Sequence, residues 1–524
     1  MKSNALRLAF CFLVLAFALF HFSDNVADPD LWGHVLFGQQ MLHMKGVERT
    51  EPFSWTAPGA PWINHEVLAE AALGASHQLA GGTGILLLKL LIGMLTFWIA
   101  LKLGSEGLPW PWRSVAWTLG FIACVEIAFG FAARPQIFSA LGLAVLFRIM
   151  RRSFGGQPAW SLALPVLFAV WINTHGGALA GLLLLALGCA AWVLEILLSK
   201  QRPLFSKPHL LIGLMILLSA AAMLINPWGL RLPIWLVESV LWVRPEIHEW
   251  NPVQFDIDRA PFFILVGVAL ASFLLSRRRR ALWEAAVLLL LAVMAFRHVR
   301  HTPLFSIAAL AFVPPHTADV IHRFRAHMAQ LEASFSNPRL QRFAAALFVL
   351  GACGCIVATG MLHKTHPWTM EIPGDVYPVS AVRFMQEHKL DGNLIVFFDW
   401  GEMAIWELPR NPVSMDGRLD TCYPRDVISA NWDLYRGVVP DSNVLDPRRA
   451  GVALLRQDLG GAEMLIRKFG WRLVYRDPLA VVLVRKLAAH PSLSGLNLPV
   501  ERGEEVLFER AAFPAQPSRR AMPH

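Results

Sequence analysis

Two carboxylates, Asp28 and Asp30, flank Pro29, and His34 follows one helical turn after the second acid. Proline fixes its own φ and pushes the preceding residue out of the helical region. The pair is therefore extended or turn-like, and both carboxylates can face one ligand. Such a pair can hold a divalent cation, Mg or Mn, or one acid can remove a proton while the other orients it. Asp28 and Asp30 are accordingly the candidate catalytic acids and the candidate metal ligands, with no cofactor strictly required. Further along, Pro61-Trp62-Ile63-Asn64-His65-Glu66 places a histidine beside a third acid. His34, His65 and Glu66 are candidate substrate contacts. Plainer explanations compete: an Asp-Pro turn with Asp as the N-cap of a helix starting at Leu31, and an ordinary acidic helix start at Glu66. A zinc site drawn from His34, His65 and His175 is disfavoured, because no two of them are closely spaced.

A second set of residues suits an anion. Arg134, Arg297 and Arg300 each stand where an apolar run ends, with His298 and His301 beside the last two. Guanidinium groups there can grip a phosphate with two parallel hydrogen bonds. Snorkelling to lipid phosphates explains any one of them equally well. Three on one side, with His301 adjacent, point to an anionic ligand. His175-Gly176-Gly177 and Asn226-Pro227-Trp228-Gly229 read as turns on that same side, where glycine lets a ligand approach the backbone. Glu126 and Lys89 fall inside apolar runs, and charges at such depth usually face a bundle interior or a wet cavity.

These residues must be positioned by a membrane bundle. The chain is 55% hydrophobic and 16% charged, with 20 Trp against 4 Tyr, and its mean hydropathy is +0.46. Soluble domains carry roughly 25% charged residues. The net charge of +9 does not indicate nucleic acid, because Arg277 to Arg280 and Arg148/Arg151/Arg152 abut apolar runs, as topology determinants do. None of the six cysteines has a metal-type or paired spacing. Apolar stretches predict spans over 6–22, 83–103, 114–132, 136–150, 158–172, 178–199, 209–225, 261–276, 281–296, 303–313 and 343–362, about 11 in all by length and hydropathy. The 6–22 stretch lacks a convincing cleavage site after it and reads as a retained first span. With a cytoplasmic N-terminus, the inward loops carry Lys102/Arg113, Arg148/Arg151/Arg152, Lys200/Arg202/Lys207, Arg277–Arg280 and Arg323/Arg325/Arg339/Arg342. Each is positive, as the positive-inside rule requires. Every cluster with chemical character then falls outside.

The bundle is expected over 1–362. Its first outer loop, 24–82, holds two interfacial helices, 31–44 and 66–79. Beyond Leu362 the composition becomes mixed in charge, and an odd span count places it outside. Helices over 378–388 and 461–469, with strands over 393–399, 452–456, 471–475 and 481–484, predict a small extracytoplasmic α/β domain over 363–508. Asp477-Pro478 joins the last two strands, and a Pro-rich tail over 509–524 is expected to be disordered.

The first loop carries a resemblance. Its opening Asp28-Pro29-Asp30-Leu31-Trp32-Gly33-His34, the Pro52-Phe53-Ser54-Trp55 segment and a second helix beginning Trp62-Ile63-Asn64-His65-Glu66 resemble the GT-C superfamily of integral-membrane glycosyltransferases. That resemblance implies a polytopic α-helical membrane protein with a variant DxD motif in its first extracytoplasmic loop. It implies transfer of a sugar from a polyprenyl-phosphate-linked donor, commonly with inversion, to a glycan, lipid or protein acceptor of the cell envelope. Asp28 or Asp30 matches the loop acid that acts as base or metal neighbour in the superfamily, whereas the arginines match only in general place. The C-terminal domain, with Asp399-Trp400-Gly401 and Asp416-Gly417-Arg418, matches none of its domains. The expected partners are the donor, the acceptor and membrane lipids, without nucleic acid, in the bacterial inner (plasma) membrane. Two rivals stand beside this reading: a transporter or flippase for a lipid-linked or anionic substrate, and a non-catalytic envelope-assembly scaffold. A transporter places functional polar groups near the membrane midplane, whereas here they cluster on loops at one face.

Overall fold

A computed structural model describes residues 3–199, 206–242, 246–324 and 337–513. Lys200, Arg202 and Arg325, three of the charges on which the expected topology rests, lie outside the described residues, as does the tail from residue 514. The chain divides into two compact units. One comprises residues 1–24 and 87–364, the other residues 25–86 and 365–524. The first loop, expected with the bundle, thus belongs with the C-terminal domain.

The first unit is helical. Its α-helices among the described residues are α1 (Asn4–Phe22), the later part of α3 (Val67–Ser105), α4 (Arg113–Phe129), α5 (Gln136–Phe154), α6 (Leu164–Ile172), α7 (Ala178–Ser199), α8 (Lys207–Ala222), α9 (Arg231–Val240), α10 (Ala260–Leu275), α11 (Leu282–Arg297), α12 (Thr302–Phe312), α13 (Pro314–Phe324) and α14 (Pro338–Leu362). All eleven expected apolar stretches are helical. Among the described residues, four helices are long and apolar enough to cross a membrane, or five if the bent pair Val299–Phe312 and Pro314–Phe324 counts as one. Pro158–Ile172, Lys207–Ala222 and Ala260–Leu275 are shorter apolar helices, at 10–17 residues. α1 packs along α14, with Phe10 and Phe348 5.2 Å apart between ring centres.

The second unit joins loop and domain. Helix α2 (Leu31–Met44) buries Leu31 to Gln39 and Met41. Protein therefore covers the faces that a helix lying in the headgroup layer would leave to lipid. The start of α3 crosses α2 closely, and Gly38 and Gly74 make that approach feasible. A Cβ on Gly38 would strike the Glu70 carbonyl, and one on Gly74 would strike Gly38 itself. The helical run of α3 breaks at Ala80 and at Gly81, whose φ of +58° suits glycine.

The domain forms a five-stranded sheet, β2 (Leu394–Val396), β3 (Val452–Arg456), β4 (Arg472–Arg476), β5 (Ala480–Val484) and β6 (Val500–Glu501), in the order β2-β3-β5-β4-β6. β2 runs parallel to β3, and β5 antiparallel to both its neighbours. The β4–β5 turn is held by Asp477, which accepts the N–H groups of Leu479 at 2.8 Å and Ala480 at 2.6 Å. β1 (Glu371–Pro373) pairs with β7 (Arg510–Ala512). The start of the expected disordered tail is thus ordered, because Arg510 to Ala512 close a two-stranded ladder and Phe513 is buried. The loop is stitched into this domain. Ala27 N–H donates to the Glu371 carbonyl, Trp55 Nε1–H to that of Leu394, and the Tyr377 hydroxyl to that of Ala27.

Candidate active site

Asp30 opens α2 but does not cap it with its side chain. Asp28 takes the local role: its Oδ1 accepts the Asp30 N–H at 3.1 Å, and its carbonyl accepts that of Leu31. The cap on α2 comes instead from Glu402, in the short helix Gly401–Glu407, whose Oε2 accepts the Gly33 N–H at 3.0 Å. That amide is one of the orphan donors at a helix start. A Cβ on Gly417 would collide with the Asp30 carboxylate and crowd Glu402, so the glycine makes room for both acids. Burial first, then the charges of Asp30 and Asp416, push the Glu402 carboxyl well above its ordinary value. Like charges in one enclosed space disfavour joint ionisation, which favours the protonated form of Glu402.

One helical turn on, His34 Nδ1 lies 3.3 Å from Glu70 Oε1 and 3.8 Å from Glu66 Oε2. Burial alone would lower its pKa, but the Glu70 hydrogen bond and the charges of Glu66, Glu70 and Asp30 outweigh burial and hold it at about 9. Asn64 braces the pair: its amide donates to Glu70 and its carbonyl accepts the Glu66 N–H. His65 Nε2 reaches Glu66 at 3.4 Å. The ligand atoms of His34, Glu66 and Glu70 lie within 4.8 Å of one another, the set among the described residues best able to hold a metal ion. It differs from the expected pair, Asp28 and Asp30. Two carboxylates and an imidazole suit Zn or Mn better than Mg, which prefers oxygen ligands and water. A cation here has to displace the His34 proton.

Beneath this lies a buried ion cluster that the sequence hinted at only through Asp416-Gly417-Arg418. Arg418 donates Nε and Nη2 to the two oxygens of Asp416 at 2.8 and 2.7 Å and pairs through Nη1 with Glu51. The Tyr423 hydroxyl donates to Asp416 at 2.7 Å. Trp62 and Phe37 face the guanidinium at 4.6 and 5.0 Å. Burial would raise Asp416, yet Arg418 and Tyr423 hold it below the usual carboxylate range. Glu51, by contrast, is raised by burial despite Arg418. The cluster ties the loop to the domain: Glu51 and Trp62 come from residues 25–86, Asp416 and Arg418 from the C-terminal stretch.

The arginine candidates belong to the first unit. Arg134 Nη1 pairs with Glu249 at 3.3 Å, and the Arg300 guanidinium stacks 4.7 Å over Trp250. His298 Nδ1 meets the Trp250 carbonyl at 2.6 Å. Consecutive residues of one loop thus gather Arg134 and Arg300. Arg297 ends α11, and His301 Nδ1 faces the Met294 carbonyl at 3.3 Å. His175 secures its own turn: its Nδ1 accepts the Gly177 N–H at 3.0 Å and lies 2.8 Å from the Ser139 hydroxyl. Both intrabundle charges have partners, Glu126 through Oε1 in Arg259 at 3.0 Å and Thr302, and Lys89 in the Asp24 carbonyl.

No family profile matches this sequence, and no curated relative matches it. Solved structures do. The chain shares its fold with a class of solved transferases, ArnT and an archaeal oligosaccharyltransferase among them. Within that class, ArnT from Cupriavidus metallidurans in the apo state matches with a TM-score of 0.58 at 15% identity, covering 94% of this chain and 100% of its own. The same protein bound to undecaprenyl phosphate matches at 0.54 and 14% identity, over 95% of this chain and 100% of that one. The apo oligosaccharyltransferase of Archaeoglobus fulgidus matches at 0.54 and 12% identity, over 93% of this chain and 75% of its own.

Proposed function

We propose that this chain is a membrane glycosyltransferase that moves a sugar from a polyprenyl-phosphate-linked donor to an envelope acceptor on the extracytoplasmic side. The observation that carries this reading is the setting of Asp30. It leaves the capping of α2 to Glu402 and shares its space with that protonated acid. Asp30 is the proposed base, beside the positive end of α2 and the His34 imidazolium. Asp30 takes the proton of the acceptor hydroxyl as that oxygen attacks the anomeric carbon. The lipid phosphate leaves from the opposite face with the bonding electrons, inverting the centre. Asp28, occupied in the turn, is the lesser candidate.

Support for a lipid-linked donor comes from the neighbours, among them an ArnT structure with undecaprenyl phosphate and an archaeal AglB structure with a dolichol-phosphate and an inhibitory peptide. Arg134, Arg297 and Arg300 are proposed donor-phosphate contacts. A Mn or Zn ion held by His34, Glu66 and Glu70 would supply positive charge near Asp30. The eleven-span topology with a cytoplasmic N-terminus, in the bacterial inner membrane, completes the proposal. The test is transfer of labelled sugar from polyprenyl-phosphate donors by the purified chain in proteoliposomes. Asp30→Asn is expected to abolish it while leaving folding intact. Full transfer by both Asp28→Asn and Asp30→Asn would remove the catalytic assignment.

A further inference from the structure

The first unit carries a cavity of about 440 Å³ that the transferase reading does not use. It opens where the start of α1, the end of α3 and the start of α4 converge. Three cations line it, Arg7, Lys102 and Arg113, together with Trp98, Trp110 and Trp117, and no acidic residue is among the described residues of its lining. Lys102 Nζ stands 4.6 Å over the Trp98 ring, and the Arg7 guanidinium 5.5 Å over that of Trp110. Arg113 Nε is turned to the Leu108 carbonyl at 2.6 Å, which fixes the base of the loop between α3 and α4. Ring faces attract cations but do not neutralise them. The concavity therefore gathers three positive charges among tryptophan rings.

Depth identifies the ligand class. α1 and α3 are both long and apolar enough to cross a membrane, and the cavity sits at their ends. Tryptophan concentrates at that level, where the ring is half in lipid and the indole N–H in water. The positive-charge pattern predicts this end to be cytoplasmic, the side on which anionic lipid accumulates. Snorkelling arginines spread outward along a helix, whereas these cations ring a space large enough for a headgroup. We infer that this cavity is a binding site for the phosphate headgroup of an anionic phospholipid, its acyl chains running along the apolar flank of α1 and α3.

The experiment uses the full chain, purified in detergent, with phosphatidylglycerol and phosphatidylcholine as probes and native mass spectrometry as readout. One phosphatidylglycerol is expected to persist at collision energies that strip phosphatidylcholine. Its affinity is expected to fall about fivefold for each cation removed, through Lys102→Gln, then Arg7→Gln, then Arg113→Gln. Lys102 is exposed, so its single variant tests the site without threatening the fold. An Arg277→Gln/Arg279→Gln variant, elsewhere on the same predicted face, is expected to retain the lipid. Unchanged retention by the Lys102 and Arg7 variants would overturn the site, as would equal retention of phosphatidylcholine. Saturation by inorganic phosphate with no persistent lipid adduct would overturn the lipid assignment.

Discussion

Glu402 caps helix α2 from a distant part of the chain, accepting the Gly33 N–H at 3.0 Å in the place an N-cap side chain would ordinarily fill. The arrangement leaves the capping of α2 to Glu402 and sets two acids side by side, with burial and charge raising the Glu402 carboxyl. A cap supplied in this way couples the C-terminal domain to the orientation of the loop acid.

Glu402→Gln preserves the acceptor and mimics the neutral acid, so stability near neutral pH is expected to change little. Glu402→Ala leaves a buried N–H unpaired, at a cost of about 1–3 kcal/mol. Folding raises Glu402 well above 4.5, so above pH 4.5 the folded state binds a proton that the unfolded chain has lost. This group's contribution to stability therefore declines as pH rises from 4.5 toward the folded value. Melting temperature followed across pH should lose that component in Glu402→Gln. An identical pH dependence in both proteins would mean that Glu402 is ionised.

His34 predicts the complementary profile. Folding raises it from 6.5 to about 9, so its stabilisation is full below pH 6.5 and disappears as pH rises through 9. His34→Gln should flatten the melting curve over that window, with a loss of up to about 3 kcal/mol at pH 6. Zinc or manganese should raise the melting temperature more at pH 9 than at pH 6, because the proton and a cation compete for one nitrogen. A metal response independent of pH would place the ion elsewhere.

Much of the second unit was legible because its signals are local. Short apolar runs marked β3 and β5, and Asp477-Pro478 marked the turn between β4 and β5. The helices at 31–44 and 461–469 were equally plain. The docking of the loop was not. Glu51, Glu402 and Arg418 stand alone in the sequence, far apart and without a spacing that ties them, and only the fold brings them together. α2 misled for a related reason: a helix buried on all sides by its own protein resembles one buried in lipid when composition is the only guide. Asp28 and Asp30 looked alike in the motif, and only the fold shows that Asp28 braces the turn while Glu402, and not Asp30, caps α2.

Arg418 allows the coupling to be broken directly. Its charge is enclosed by aromatic rings and paired with Asp416 and Glu51. Arg418→Met strands a buried Asp416 and should cost about 3–5 kcal/mol, whereas Arg418→Met with Asp416→Asn should recover part of that loss. Arg418→Lys keeps the charge but lacks the two-pronged fork, so it should fall between wild type and Arg418→Met. Additive losses in the double variant would mean that the pair is not energetically coupled.

Arg300 distinguishes the transferase from a scaffold. A phosphate in a partly dehydrated pocket needs cationic donors, because an unpaired anion there is costly. Arg134 is paired with Glu249, so a donor phosphate must share or displace that carboxylate. The Arg300 guanidinium is stacked on the Trp250 ring. Arg300→Ala should weaken binding of a polyprenyl-phosphate donor by about 2–5 kcal/mol if the contact is buried. Glu249→Gln should strengthen it by freeing Arg134. Donor affinity measured by calorimetry in detergent separates these effects from catalysis, since neither residue is assigned to the proton transfer. Affinity indifferent to Arg134→Ala, Arg297→Ala and Arg300→Ala alike would remove the phosphate contacts and leave the scaffold reading ahead.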